Sequence, residues 1–216
     1  MLVIFDCDGV LVDSETLAAR VFAEHLAKFG VVLSATECEA KFRGHTMDYC
    51  LGILNTAYPG VLPHDFLDSL AAATQGAFGR ELRPVRGVET VLQWLQTQGL
   101  PFCVASNGAL SKVQHSLEVT GLRDYFGDHC YSAEQVRRGK PHPDLFLFAA
   151  QGMGAGVADT VVVEDSIAGV TAAMQAEMKV LRYGTPVEIE RRSITSFTDM
   201  EKLPRMIQKV LNPRGD

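Results

Sequence analysis

"VIFDCDGVLVDSE", residues 3–15, continues an apolar run that begins at Leu2 and breaks at once into Asp6-Cys7-Asp8-Gly9. Leu2 to Phe5 is short and continuously apolar, the pattern of a strand buried on both faces. A carboxylate at the end of such a strand costs several kcal/mol unless it is paired, hydrogen-bonded or metal-bound. Asp6 and Asp8 are two positions apart, so in extended chain both leave on one side and Cys7 on the other, and Gly9 then permits a tight turn. The pair reads as two metal ligands, as a nucleophile with an acid/base partner, or as a solvated turn rich in Asp and Gly. A calcium-binding EF-hand loop is excluded, because its glycine falls at the sixth position and Gly9 stands at the fourth.

The same grammar recurs along the chain. "PFCVASN" (101–107) and "TVVVEDS" (160–166) are short apolar runs stopped by polar groups, and "KVLRYG" (179–184) is a weaker example. Helical spacing surrounds them: Val88, Val91, Leu92 and Leu95 before the second run, Leu110, Val113 and Leu117 after it, and Ile167, Val170 and Met174 after the third. Strands alternating with helices predict the α/β class, a doubly wound, Rossmann-like parallel sheet covered on both faces. Ligands of such sheets sit beyond the carboxyl ends of the strands, where Asp6, Ser106 and Asp165 fall.

The interval between the first two strands is too long for a plain crossover and carries no strand signal. Leu17, Val21, Phe22, Leu26 and Phe29 make one amphipathic helix ending near Gly30, a shorter segment runs to Arg43 and Gly44, and helical stretches continue through Arg80. Residues 16–82 are therefore expected to form an inserted α-helical domain, and residues 1–15 with 83–216 a discontinuous core.

A net charge of −6 provides no basic field for nucleic acid or an anionic membrane, so an anionic substrate must be held by local groups. The five cysteines are odd in number, far apart and free of C-x-x-C spacing, which points to a reducing compartment. With no signal-peptide pattern and no apolar span of membrane length, a cytoplasmic monomer without nucleic-acid or membrane partners is expected.

Glu164 and Asp165 add two acids at another strand end, so up to four carboxylates approach one another if the sheet closes as expected. Their repulsion calls for a cation, and all-oxygen ligands favour Mg2+ over zinc or copper. The competing reading is an N-cap and first-turn charge for the following helix, and both roles can coexist. Ser106, Asn107 and the adjoining N–H groups could face an anion or simply make a turn. A serine-hydrolase elbow fails, since the glycine it needs two residues before the serine is Val104. Lys140, between Gly139 and Pro141, has a more defined position than most lysines, and His142 reads as surface. The series Gly152, Gly154, Gly156 precedes a strand rather than following one, so it is a connecting loop.

Taken in order, "DCDGVLVDSE", "VASNG", "GKPHPDLF" and "VVVEDSIAG" resemble the motifs of the haloacid dehalogenase-like superfamily of phosphohydrolases, over Leu2 to about Gly184. The inserted helices resemble the cap of its branch containing β-phosphoglucomutase and many small phosphatases. The resemblance implies that Asp6 attacks phosphorus to form an aspartyl-phosphate and that Asp8 protonates the leaving alcohol, then activates water. Ser106, Asn107 and Lys140 would hold the phosphoryl group, and Mg2+ would be bound by Asp6, the Asp8 carbonyl and Asp165 with Glu164 in support. Arg43, Gly44, His45 and Thr46 would contact substrate from the cap. Asp8 argues against dehalogenases and phosphonatases, which lack that second aspartate. Ala18 and Met47 stand where the mutase has a hinge histidine and a phosphate-gripping arginine. The expected function is a Mg2+-dependent phosphatase of a small phosphorylated metabolite, a phosphosugar or a phosphosugar acid such as 6-phosphogluconate. A phosphosugar mutase, or in another class a phospho-accepting signalling module, is the alternative.

Overall fold

Alternation along β1 (Leu2–Phe5) builds a two-faced core: Leu2 and Ile4 leave on one side, Val3 and Phe5 on the other, and all four are buried. The computed structural model describes residues 1–42, 47–189 and 192–211. Its strands continue with β2 (Phe102–Ser106), β3 (Cys130–Ser132), β4 (Thr160–Glu164), β5 (Lys179–Tyr183), the hairpin β6 (Glu188–Ile189) with β7 (Arg192–Ser193), and β8 (Ser196–Phe197). Six of them form one sheet in the order β3-β2-β1-β4-β5-β8, paired in parallel throughout. The chain first builds from β1 toward β3 and then returns to β1's other side with β4, so the switch point of this doubly wound sheet lies between β1 and β4.

The helices of this unit are α5 (Val88–Thr97), α6 (Leu110–Val119), α7 (Arg123–Phe126), α8 (Asp144–Gly152), α9 (Ile167–Gln175) and α10 (Leu203–Leu211). Leu2 and Ile4 share a cluster with Leu145, Phe146, Ala149 and Ala150 of α8 and Ala172 and Ala173 of α9. On the opposite face Phe5, Phe102 and Phe126 meet edge to face, with ring centroids 5.3 to 6.5 Å apart. The four apolar positions expected of α5 are all buried. The face expected of α9 is not: Ile167 is 49% exposed and Met174 half-buried, while Gly169, Val170, Ala172 and Ala173 are inside. That helix lies so close to the sheet that small side chains fill the interface and the large ones are turned out.

A second compact unit comprises Asp13–Arg83, and Met1–Val12 with Pro84–Asp216 make up the first. It contains α1 (Ser14–Ala27), α2 (Ala35–Phe42), α3 (Met47–Ala57) and α4 (Phe66–Glu81), with α1 packed on α2 and α4. Its core is aromatic: Phe22 meets Phe42 at 5.4 Å and Phe66 at 6.2 Å between centroids, and His25 lies 5.1 Å from Phe66. No helix among the described residues is long and apolar enough to cross a membrane.

Candidate active site

Where β1 ends, the chain folds back on itself: Leu11 N donates to Cys7 O at 2.9 Å and Gly9 N to Val12 O at 2.9 Å. Gly9 makes this possible with φ at +77°, and it also clears room, since a Cβ there would come 2.6 Å from Asp165 Oδ2. The turn leaves Asp6 buried beside β4, with its own N–H donating to Val163 O at 2.9 Å. Cys7 is buried too, and burial pushes its thiol up.

Lys140 joins the sheet's two acidic strand ends. Its Nζ donates to Asp6 Oδ1 at 2.6 Å and to Glu164 Oε1 at 2.7 Å, and it lies 4.9 Å from the centre of the Phe146 ring. Its side chain is 3% exposed, so these charges interact far more strongly than a surface pair would. The other oxygen of Glu164 accepts from Ser166 N at 2.7 Å and Ser166 Oγ at 2.9 Å. Ser166 also caps α9, its Oγ accepting from Gly169 N at 3.0 Å, so the capping role considered for Glu164 and Asp165 falls to Ser166. Glu164 itself is fully buried because position 169 is glycine: a Cβ there would overlap its carboxyl.

Ligand oxygens of Asp6, Glu164 and Asp165 lie within 4.8 Å of one another. Burial pushes Asp6 up to about 8, with Lys140 opposing the shift and Glu164 and Asp165 adding to it. Burial alone would lower Lys140, but the attraction of Asp6 and Glu164 and its hydrogen bonds to both outweigh burial and raise it. Three carboxylates and one ammonium leave two negative charges when all are ionised. One divalent cation with a preference for hard oxygen donors fits that deficit and that donor set, and Asp6, Glu164 and Asp165 are the side chains that could hold it. The fourth carboxylate expected there is elsewhere: Asp8 is paired with Lys112, in the first turn of α6.

Ser106 ends β2, 2% exposed, and its Oγ accepts from Gly108 N at 3.1 Å. The Asn107 side chain holds the lysine loop. Asn107 Oδ1 accepts from Lys140 N at 2.8 Å and Asn107 Nδ2 donates to Lys140 O at 3.0 Å. Gly139 lets the two loops meet, since a Cβ there would stand 2.6 Å from Asn107 Oδ1. The 107–110 turn is pinned from the end of β3 and the turn after it: Ser132 Oγ donates to Gly108 O at 2.7 Å, and Glu134 Oε2 accepts from Leu110 N at 2.9 Å. His142 is exposed. Arg43, Gly44, His45 and Thr46 lie outside the described residues.

Lys112, Ser132, Glu134 and Gly169 were not singled out by the sequence reading. Gly169 carried the nearest thing to a signal, as a glycine inside a helical pattern, which asks for a packing reason.

The family model described as haloacid dehalogenase-like hydrolase matches residues 1–177. Among curated proteins, the chain is 30% identical over 208 residues to 6-phosphogluconate phosphatase of Escherichia coli K12, covering 94% of this chain and 93% of that one. It is also 30% identical to hexitol phosphatase B of the same strain, over 96% of this chain and 95% of that one. Among solved structures, a hydrolase of the family from Deinococcus radiodurans with bound phosphate and sodium superimposes with a TM-score of 0.86 at 32% identity, covering 97% and 95% of the two chains.

Proposed function

We propose that this chain, which belongs to the haloacid dehalogenase-like hydrolases and is a phosphatase of that family, is a Mg2+-dependent enzyme acting on a phosphosugar or phosphosugar acid. The observation that carries the reading is the buried Asp6–Lys140–Glu164 pairing beside Asp165, at the carboxyl ends of β1 and β4 where ligands of such sheets bind. A phosphate bound by a relative 32% identical, and sugar-phosphate names among relatives 30% identical, support the substrate class.

In this reading Asp6 attacks phosphorus, the ester bond breaks, and Asp8 gives a proton to the departing alcohol oxygen. Asp8 then takes a proton from the water that attacks the aspartyl-phosphate, releasing phosphate and restoring Asp6. A covalent intermediate divides one difficult displacement into two. Lys140 neutralises charge on the transferring group from a site already dry, where its charge acts at low dielectric, and Ser106 presents a hydroxyl to a phosphoryl oxygen. Asn107 holds the Lys140 peptide so that the ammonium arrives at a fixed place. Mg2+, held by Asp6, Glu164 and Asp165 with the Asp8 carbonyl, would add charge neutralisation at the phosphoryl oxygens. The helical unit is the cap of this family branch.

The test is phosphate release from 6-phosphogluconate, hexitol phosphates, other hexose phosphates and nucleoside monophosphates, with Mg2+ and with chelator. Metal-dependent release confined to the sugar derivatives, lost in Asp6→Asn, is expected. Full turnover by Asp6→Asn would remove the nucleophile from this reading, and isomerisation triggered by a sugar bisphosphate would replace phosphatase with mutase.

A further inference from the structure

We propose that Lys112 is a positioning residue that aims the Asp8 carboxyl at the leaving oxygen, an inference that rests on the acid/base role given to Asp8 above. Lys112 Nζ donates to Asp8 Oδ2 across 104 residues of sequence, while Asp8 Oδ1 is buried with no hydrogen-bond partner among the described residues. One oxygen is thus tethered, and the other makes no hydrogen bond among the described residues that would fix the carboxyl instead. A carboxyl on a short side chain within a glycine-bearing turn has rotamers to choose from, and a tether at one oxygen selects among them. The tether is itself built in: Gly108 leaves room for the lysine stem, since a Cβ there would stand 3.3 Å from Lys112 Cδ and 3.5 Å from Ser106 Oγ. Gly108 is fixed in turn by Ser132 Oγ and by its own N–H on Ser106 Oγ. The serine that faces the phosphoryl group and the lysine that holds the acid are therefore set by one turn.

An ammonium in this place could instead read a second anionic group on the substrate, and the kinetics separate the two. For Lys112→Met acting through Asp8, kcat on a sugar phosphate falls about ten-fold with KM changed less than about two-fold, as expected for a misaligned catalytic group. Lys112→Arg, which keeps the charge and a donor, restores most of it. Aryl phosphates such as nitrophenyl phosphate lose a leaving group that needs no proton, so the burst of nitrophenolate in a single turnover stays near that of the unmodified enzyme. Added to Asp8→Asn, Lys112→Met produces no further loss on either substrate, since the two act as one unit. An increase in KM with kcat intact, or an equal loss of burst and turnover, would overturn the assignment and make Lys112 a substrate-binding group. If Asp8→Asn turns over sugar phosphates normally, the acid/base role falls first and the positioning role with it. If Asp8→Asn fails while Lys112→Met keeps its kcat, only the Lys112 inference is lost.

Discussion

A methyl group at position 169 would occupy the space of the Glu164 carboxyl, so the glycine in the first turn of α9 and the acid at the end of β4 are one feature of the site. Replacing glycine by alanine inside a helix ordinarily stabilises, because alanine has fewer unfolded conformations to lose. Gly52 in α3 is such a case, with nothing within 4 Å of a Cβ built there. Gly52→Ala should therefore raise stability by about 0.5–1 kcal/mol. Gly169→Ala should lower it by about 1–3 kcal/mol, as overpacking does, and should also cost most of the turnover because Glu164 is pushed off Lys140. Urea midpoints of the two variants, with phosphate release on the same preparations, check the opposite signs. A Gly169→Ala protein as active and stable as its parent would mean that α9 can slide away from β4.

Among the elements, α1 carries a group whose ionisation the packing opposes. His25 is buried among Phe29 and Phe66, and its Nε2 lies 2.9 Å from Ser69 Oγ. Ser69 Oγ donates to Phe66 O at 3.0 Å, so the imidazole is the donor to Ser69 and the neutral tautomer carries its proton on Nε2. Nδ1 is then bare, buried and without a hydrogen-bond partner among the described residues, and a proton placed there would find no acceptor among them. Burial lowers His25 below the usual 6.5, with Lys28 adding to the effect. The folded state thus binds this proton less readily than the unfolded one, and its contribution is present above pH 6.5 and lost as pH falls through and below that value. Stability of the helical unit should decline between pH 7.5 and about pH 5.5, and His25→Leu should remove much of that slope. An unchanged slope in His25→Leu would assign the pH response to another group.

Legibility in the sequence also varied by element. Three strands carried continuous apolar runs and β5 a weaker one broken by Lys179 and Arg182, and all four stand where these predicted, within a residue or two at their ends. β3 and β8 did not, because three and two residues are too few to show a pattern, and what makes them strands is pairing to β2 and β5. Asp6, Glu164 and Asp165 were legible since an acid at the end of a buried strand is locally anomalous, whereas Lys140, though held between glycine and proline, was marked as a site residue only by its place in the order of motifs. Lys112, Ser132 and Glu134 are locally ordinary. Their roles arise from partners 24 to 104 residues away, and no local pattern records those distances.

For the whole molecule, the two units should answer pH with opposite sign when metal is withheld. In the first unit burial raises Asp6 from 3.8 to about 8, so the folded state binds that proton more readily than the unfolded chain. Its contribution is fully present below pH 3.8 and is lost as pH rises toward about 8, the reverse of the His25 response in the second unit. In chelator, lowering pH from about 8 to about 6 should stabilise the sheet unit and weaken the helical one. A bound divalent cation must displace the proton from Asp6, so at one fixed concentration it should stabilise the sheet unit more at pH 8 than at pH 6; where that concentration is a hundred times its dissociation constant the stabilisation is about 2.7 kcal/mol. The chain has a single tryptophan, Trp94 in α5, and it belongs to the sheet unit. Thermal melts followed by Trp94 fluorescence, beside far-ultraviolet circular dichroism for helix as a whole, therefore separate the two responses. A fluorescence midpoint that rises with Mg2+ at pH 8, and less at pH 6, is the expected result. A midpoint indifferent to Mg2+ at both values would show that Asp6, Glu164 and Asp165 hold their charge without a divalent cation, leaving Lys140 as the group that balances them.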